Sequence, residues 1–372
     1  MNLVEFPFYA RLPLVLLSVL LIYIILSSAA GIFIPLTFAL VFAVLLYPFA
    51  QFLEKQLHFS RAMASITAVL CLMVVSGCFI YFLTSQFINF ADDFPMLRKR
   101  FDDIYSELQH YISRSFHINK RDQTDYINNV ASSAAESIAY SLKGIIFSIS
   151  TFLLYFIFVT LFTFFILFHR RLLNKFVLHL FSEQNREKVS ETIVEAKYLV
   201  NGYISALMLE MALISIVNCT MFFIMGNKYA LLLGTMAALL NIIPYIGIYT
   251  SMVICFLVTF ANSTFGAAIE TSIGLFIVHL LDSNVLMPRL VGGRVKMNPF
   301  ITILAVMLGE FIWGVPGMFL FIPIVGIIKL VCERVDGLEA WSILIGVDEA
   351  TKKDKSEKVV AVPPRRWFIY KK

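Results

Sequence analysis

Residues 229–260 read YALLLGTMAALLNIIPYIGIYTSMVICFLVTF and contain no Lys, Arg, Asp or Glu. The stretch is longer than the roughly 20 apolar residues that a transmembrane helix needs. Pro244 and Gly247 interrupt it near its middle. Proline removes a backbone donor and glycine permits a sharp change of direction, so the stretch is predicted to fold back as two half-length helices.

The composition of the whole chain is that of an integral membrane protein. Hydrophobic residues make up 59% and charged residues 15%, with a mean hydropathy of +0.81, whereas soluble proteins have about 45–50% apolar and about 25% charged residues. Further runs without charge cover residues 12–53, 62–91 and 144–169. Because lipid offers no partner for backbone groups, such runs are expected to be helical. We predict an all-α polytopic fold with about six full spans, two re-entrant hairpins and an extracytoplasmic helical insert.

A second broken segment covers residues 299–330, where Gly314, Pro316 and Gly317 interrupt the apolar pattern. The basic residues favour hairpins at both breaks, because Lys and Arg gather in cytoplasmic flanks. A straight crossing of residues 229–260 would place Arg289 on the opposite side from Arg170. Folding both segments back keeps these residues and both chain termini in the cytoplasm. Kinked continuous helices are the alternative. Paired broken segments are typical of the substrate site of a transporter.

Composition divides the chain into regions of different character. Spans one and two are expected to turn near Gly31 and Pro35, and the first arm of the polar insert is expected to extend span three. The insert either packs on itself or contacts a partner. The predicted regions are a three-span N-terminal region (1–91), an amphipathic helical hairpin insert (92–143), span four (144–169), a cytoplasmic amphipathic helical stretch (170–199), a transport core with two broken segments (200–331) and a basic cytoplasmic tail (332–372).

Acidic residues inside apolar segments are candidate binding residues. A charge at the bilayer centre costs roughly 2.5–3.5 kcal/mol on insertion scales, so such residues usually have a function or a partner. Glu210 lies near the middle of its span and could carry a proton, or could simply hydrogen bond to Asn218 or Tyr203. Asp282 lies near the cytoplasmic end of its span. The acids in apolar segments are Glu210, Glu270, Asp282 and Glu310.

Polar and helix-breaking residues near these acids complete the candidate site. Asn241 and Asn284 could offer amide oxygens to a sodium ion or bonds to a polyol, or could form turns. His279 lies one helical turn before Asp282 and could share its proton, or could be structural. The candidate substrate or ion-binding residues are Glu210, Asn241, Pro244, Gly247, Asp282, Asn284 and Glu310. The candidate hinges are Pro244, Gly247, Pro288, Gly314, Pro316 and Gly317.

Motifs for other functions are missing from the sequence. It has no Walker motif for ATP, no nucleophile beside a base and no CxxC pair for a metal. The net charge of +5 comes from basic residues that flank apolar runs, so it sets topology and does not indicate nucleic acid. We therefore predict a secondary transporter that is not an enzyme and needs no cofactor and no metal.

Several motifs together resemble one family of bacterial membrane proteins, the autoinducer-2 exporter (AI-2E) family. They are NIIPYIG at 241–247, Asp282-Ser-Asn284 followed by Pro288 and Gly292, MNP at 297–299 and GVPGMFLFIP at 314–323. The resemblance implies a multi-span carrier of the inner membrane that assembles as a homo-oligomer, a pentamer, and moves by an elevator-like shift. Many relatives carry Glu near the position of Asp282, so the acid here has a shorter reach.

The resemblance also implies a class of function. The leading expectation is export of a small polar solute, such as an autoinducer-2-like furanone, by alternating access. An exchanger of sodium or lithium for protons is the alternative within transport. A non-transporting scaffold that recruits partners through residues 92–143 is a third possibility. The expected partners are the lipid bilayer, a small solute or cation, and further copies of the chain.

Overall fold

The computed structural model describes residues 8–116, 152–243, 246–290 and 297–346, with side chains except at 8–11, 91–116 and 261, and its regular secondary structure is helical. Within this part, five helices, or six if one bent pair counts as a span, are long and apolar enough to cross a membrane. The predicted all-α polytopic fold is therefore confirmed. The helices are α1 Phe8–Ser28, α2 Ala30–Gln56, α3 Arg61–Phe116, α4 Phe152–Phe168, α5 Arg170–His179, α6 Arg186–Ile224, α7 Ala230–Leu240, α8 Ile246–Asn262, α9 Phe265–Leu281, α10 Met287–Leu290, α11 Pro299–Trp313, α12 Val315–Cys332 and α13 Glu339–Ile345.

The first broken segment folds back as predicted. The Asn227 side-chain amide, just before α7, donates to the Thr259 hydroxyl near the end of α8 at 2.8 Å, so the segment returns to the side from which it entered. Gly247 packs directly on the end of α7, where a Cβ atom would lie 1.8 Å from the Leu240 carbonyl oxygen. Pro244 is outside the described residues.

The second broken segment also forms a hairpin. Met297 and Ile301, just before and at the beginning of α11, pack with Val325 in the second half of α12 and with Ile345 of α13, so α12 runs back alongside α11. Gly314 makes the reversal with a φ of 64°, a conformation that glycine adopts without steric cost. Pro316 lies in the first turn of α12, where its missing N–H costs no hydrogen bond.

Helix α6 is the central element of the fold. Its 39 residues span about 58 Å, longer than the roughly 30 Å hydrocarbon core of a bilayer. One part packs against α2 and α12 in an apolar cluster that includes Ile204 and Leu320, and another part packs against α7 and α9 around Phe222 and Leu275. This arrangement brings polar residues of α6 beside the first hairpin.

The predicted amphipathic stretch 170–199 is divided between two helices. Helix α5 is separate and bends by 71° from α4, whereas residues 186–199 are continuous with the apolar part of α6. No proline interrupts residues 186–224, so nothing ends the helix at the membrane surface. Arg334, just after α12, pairs with Glu191 at 3.0 Å and Glu195 at 2.6 Å in this part of α6. The end of α12 and the beginning of α6 therefore lie on one side, as the basic residues indicated.

The predicted turn between the first two spans was wrong in its position. The helix breaks at Ala29, and Gly31 and Pro35 both lie inside α2. Gly31 lies in the first turn of α2, where backbone N–H groups lack intrahelical partners. Pro35 is the sixth residue of α2 and has no N–H to donate to the Gly31 carbonyl, yet the helix continues through it. The Trp313 indole N–H at the tip of the second hairpin donates to the Leu26 carbonyl beside this break at 3.0 Å.

Helix α3 contains both span three and the predicted first arm of the insert, since it runs without a break from Arg61 to Phe116. The predicted second arm and the start of span four lie outside the described residues. The division of the chain into six regions stays a prediction.

Candidate functional site

Asp282 begins a widened helical turn at the end of α9. Residues Asp282–Leu286 form a π-helical turn, in which the Met287 backbone N–H donates to the Asp282 carbonyl. Pro288 has no N–H to offer the Asn284 carbonyl, so regular α-helical bonding cannot continue here. Such turns often occur at functional sites. Asp282 is 3% exposed, while its neighbours Leu281 and Ser283 are exposed.

Asn241 holds one side of this carboxyl group. It follows the last residue of α7, at the break of the first hairpin, and its side-chain amide donates to Asp282 Oδ2 at 2.8 Å. The break places the amide opposite the end of α9. A polar contact thus joins the tip of the hairpin to the π turn.

Glu210 holds the other side. It lies in the middle of α6, is 7% exposed and is close enough to Asp282 for a hydrogen bond between the two carboxyl groups. Glu210 Oε2 and Asp282 Oδ1 have no hydrogen-bond partner in the described structure. Two carboxylates cannot bond to each other without a proton, so one shared proton would supply the missing donor. We call Glu210 and Asp282 the carboxyl pair.

A small polar cavity adjoins the carboxyl pair. Its volume is about 10 Å³, roughly the space for one water molecule. The side-chain oxygen of Asn218 and the Nδ1 atom of His279 are buried without a partner in the part of the chain that the structure describes. The cavity is lined by Ile214, Asn218, Ala237, Asn241, Ile248, Ser251, Leu275, Val278, His279 and Asp282.

The electrostatics of this site follow from its burial. An ionised carboxylate in an apolar interior is costly unless it is paired or bonded, and two adjacent carboxylates also repel each other. In the described structure the hydrogen-bond donors to the pair are limited to the Asn241 amide. The site therefore favours a bound cation or proton, which would remove one or both negative charges.

A second cavity lies on another side of α6 and is apolar. It has a volume of about 120 Å³. Ile242 lines this cavity, whereas its neighbour Asn241 lines the polar one, so the break of the first hairpin lies between the two. The cavity is lined by Phe38, Val41, Phe42, Ile204, Leu207, Met208, Met211, Ile242 and Phe319.

The structure brings together only part of the predicted site. Glu210, Asn241 and Asp282 meet, and Gly247 lies close by at the start of α8. Asn284 is exposed and its amide donates to the Leu280 carbonyl at 2.8 Å, and Pro288 is also exposed. Glu310 is exposed on α11, four residues before Gly314. The binding roles predicted for these residues stay predictions.

Sequence reasoning missed two cavity residues and did not foresee the contact between Glu210 and Asp282. Asn218 and Ser251 line the cavity but were not named as binding residues. Asn218 follows Glu210 by eight residues, a spacing that keeps both near one face of a helix, whereas Ser251 gives no such signal. For Glu210 the sequence left open a proton-carrying role or a simple hydrogen bond to Asn218 or Tyr203, and in the structure its carboxyl group meets Asp282. His279, for which a shared proton with Asp282 and a structural role were both left open, lines the same cavity as Asp282.

Comparison with known proteins identifies the family. The family model described as AI-2E family transporter matches residues 12–337. YrrI of Bacillus subtilis (strain 168) is 24% identical over 310 residues, which cover 80% of this chain and 85% of YrrI. YueF of the same organism is 34% identical over 108 residues, 29% of each chain. The AI-2 transport protein TqsA of Escherichia coli (strain K12) is 25% identical over 118 residues, 32% of this chain and 34% of TqsA. The chain belongs to the AI-2E family of membrane transporters.

Proposed function

We propose that this protein is a proton-coupled secondary transporter in which the carboxyl pair carries the proton. The supporting observation is that two buried acids from different helices meet, each with an oxygen that lacks a partner. Acidic residues within a membrane commonly form proton relays in pumps and transporters. The carboxyl pair would hold one shared proton in one state and a cation in the other. The charge on the two carboxyl groups would then change while both side chains stay in place.

The cargo that fits the polar cavity best is a small cation, so we propose exchange of sodium or lithium for protons. A cavity of about 10 Å³ has room for about one water molecule and is too small for a furanone ring. Carboxylate, amide and hydroxyl oxygens are the ligands that hard cations prefer, and Asn218, Asn241 and Asp282 supply such oxygens at the cavity.

Export of an autoinducer-2-like furanone is the second candidate. It is favoured by the likeness to a protein named AI-2 transport protein TqsA. In this candidate residues 241–243, just after the end of α7, would have to move and join the polar and apolar cavities, since Asn241 and Ile242 line one each. Alternating access by displacement of the hairpins would produce such a movement.

The placement in the membrane is also a proposal. We propose a bacterial inner membrane with both termini in the cytoplasm, because Arg170, Arg289 and Arg334 all flank apolar helices at ends that the positive-inside rule assigns to that side. A homo-oligomer, a pentamer by resemblance, completes the proposal. Cross-linking in native membranes would measure the number of copies.

Ion exchange can be tested in vesicles that contain the purified protein and an internal pH dye. An inward sodium or lithium gradient is expected to make the vesicle interior more alkaline, because protons leave as cations enter. Potassium at the same concentration controls for osmotic and leak effects and is expected to give a smaller signal. A response to the synthetic furanone but to neither cation would favour the second candidate, and no response to any of these would contradict both.

A further inference from the structure

We propose that His279 passes protons between the exposed surface and the carboxyl pair. This inference rests on the proposed function, because it concerns how the proton reaches the site. The two nitrogens of the imidazole face different surroundings, one the buried cavity and the other an exposed hydroxyl group. Nδ1 is buried and has no hydrogen-bond partner among the described residues, and His279 lines the polar cavity together with Asp282. Nε2 is 3.3 Å from the hydroxyl of Ser283, which is exposed.

The geometry gives each nitrogen a separate role. The cavity has room for about one water molecule, and the Asp282 Oδ1 atom lacks a donor. One water in this space could accept a proton from Nδ1 and donate one to Asp282. On the other side, the exposed Ser283 hydroxyl lies one helical turn after His279 and can pass a proton to Nε2. Neutral imidazole is a donor at one nitrogen and an acceptor at the other.

The transfer balances without any further reactant. A proton that arrives at Nε2 makes the imidazolium, whose Nδ1–H then gives up its proton through the water to Oδ1 of Asp282. The ring is neutral again and the pair has gained one proton. Reversal of the same steps releases the proton. Histidine suits this task because it accepts and releases protons near neutral pH.

The other polar groups at the cavity or beside it do not replace the imidazole. Asp282 from the π turn and Glu210 from α6 form the carboxyl pair itself. Asn218 from α6, Asn241 from α7 and Ser251 from α8 also lie at the cavity, but an amide or a hydroxyl group does not gain and lose protons near neutral pH. Among the described residues that line the cavity, His279 is thus the one suited to a relay.

The test is a His279→Ala variant in vesicles with a pH dye and an inward sodium gradient. Proton movement is expected to slow by about tenfold. A positioned proton-transfer group can contribute about 100-fold or more, but conformational steps also limit many rates, so the measured loss should be smaller. Added imidazole should restore much of the rate in this variant and leave the unsubstituted protein unchanged. If the alanine variant does not fold, the same measurement is made on His279→Asn, which keeps a hydrogen-bonding group.

Two further measurements separate the possible outcomes. Exchange of labelled for unlabelled sodium at equal pH needs no net proton transfer, so in His279→Ala it is expected to fall less than the rate of proton movement. His179→Ala removes an exposed histidine of α5 and should match the unsubstituted protein with and without imidazole. A normal rate of proton movement in His279→Ala, a failure of imidazole to restore it, or an equal loss of sodium exchange would overturn the relay. Absence of sodium-driven proton movement in the unsubstituted protein would instead refute the proposed function.

Discussion

Substitution of Glu210 by Gln or of Asp282 by Asn is expected to reduce sodium-driven proton movement to the level of protein-free vesicles. Either change leaves an amide in place of a carboxyl group, so the pair can no longer gain and lose a proton. The shape of the site should survive. Gln at position 210 can donate to Asp282 Oδ1, and Asn at position 282 can still accept from Asn241. The measurement is the rate of dye response after addition of sodium.

A matched acid provides the control for this prediction. Glu270 also interrupts an apolar helix but is exposed on α9, so Glu270→Gln is expected to keep the original rate. Thermal unfolding in detergent should show that the two site variants stay as stable as the unsubstituted protein or more so, because the neutral amides remove the cost of a buried charge. Normal flux in both Glu210→Gln and Asp282→Asn would show that the pair does not carry the proton.

The folded-back hairpins were predictable because bilayer physics leaves few alternatives. A broken backbone inside lipid must be covered by protein or water, and Arg289 lies on the required side only if residues 229–260 return to their starting side. The long helix α6 was less predictable. The charged residues Glu191 and Lys197 indicated a surface stretch, but charge does not end a helix that projects into water.

The members of the carboxyl pair were predictable one by one, and their meeting was not. The cost of a buried charge singled out Glu210 and Asp282, but equally Glu310, which is exposed. Whether such a charge is buried depends on the face of the helix that carries it. A helix that is apolar all round gives no sign in its sequence of which face points inward. The π turn also had no clear signal. Pro288 predicted a break, but the inward direction of Asp282 depends on packing against α6 and α7.

Alanine at Gly309 or Gly317 is expected to separate the two helices of the second hairpin, α11 and α12. A Cβ atom on Gly309 would lie 2.3 Å from the Gly317 carbonyl oxygen, and one on Gly317 would lie 1.9 Å from the Gly309 carbonyl oxygen. Both obstacles are backbone atoms, so no side-chain rotation can relieve the clash. Small residues commonly allow membrane helices to approach closely, and this pair leaves no room for even one methyl group.

Each alanine should lower the free energy of unfolding by about 1–3 kcal/mol or more, the usual cost of overpacking. The expected result is a lower midpoint of thermal unfolding. Fluorescence-detected size exclusion of heated samples in detergent measures this midpoint. Gly77→Ala on α3 is the control, because nothing lies within 4 Å of a Cβ atom there and alanine favours a helix by about 0.5–1 kcal/mol over glycine. Its midpoint should stay the same or rise slightly. If Gly309→Ala and Gly317→Ala behave like this control, α11 and α12 are not in backbone contact. The hairpin would then lack the rigid packing that the proposed displacement of the hairpins requires.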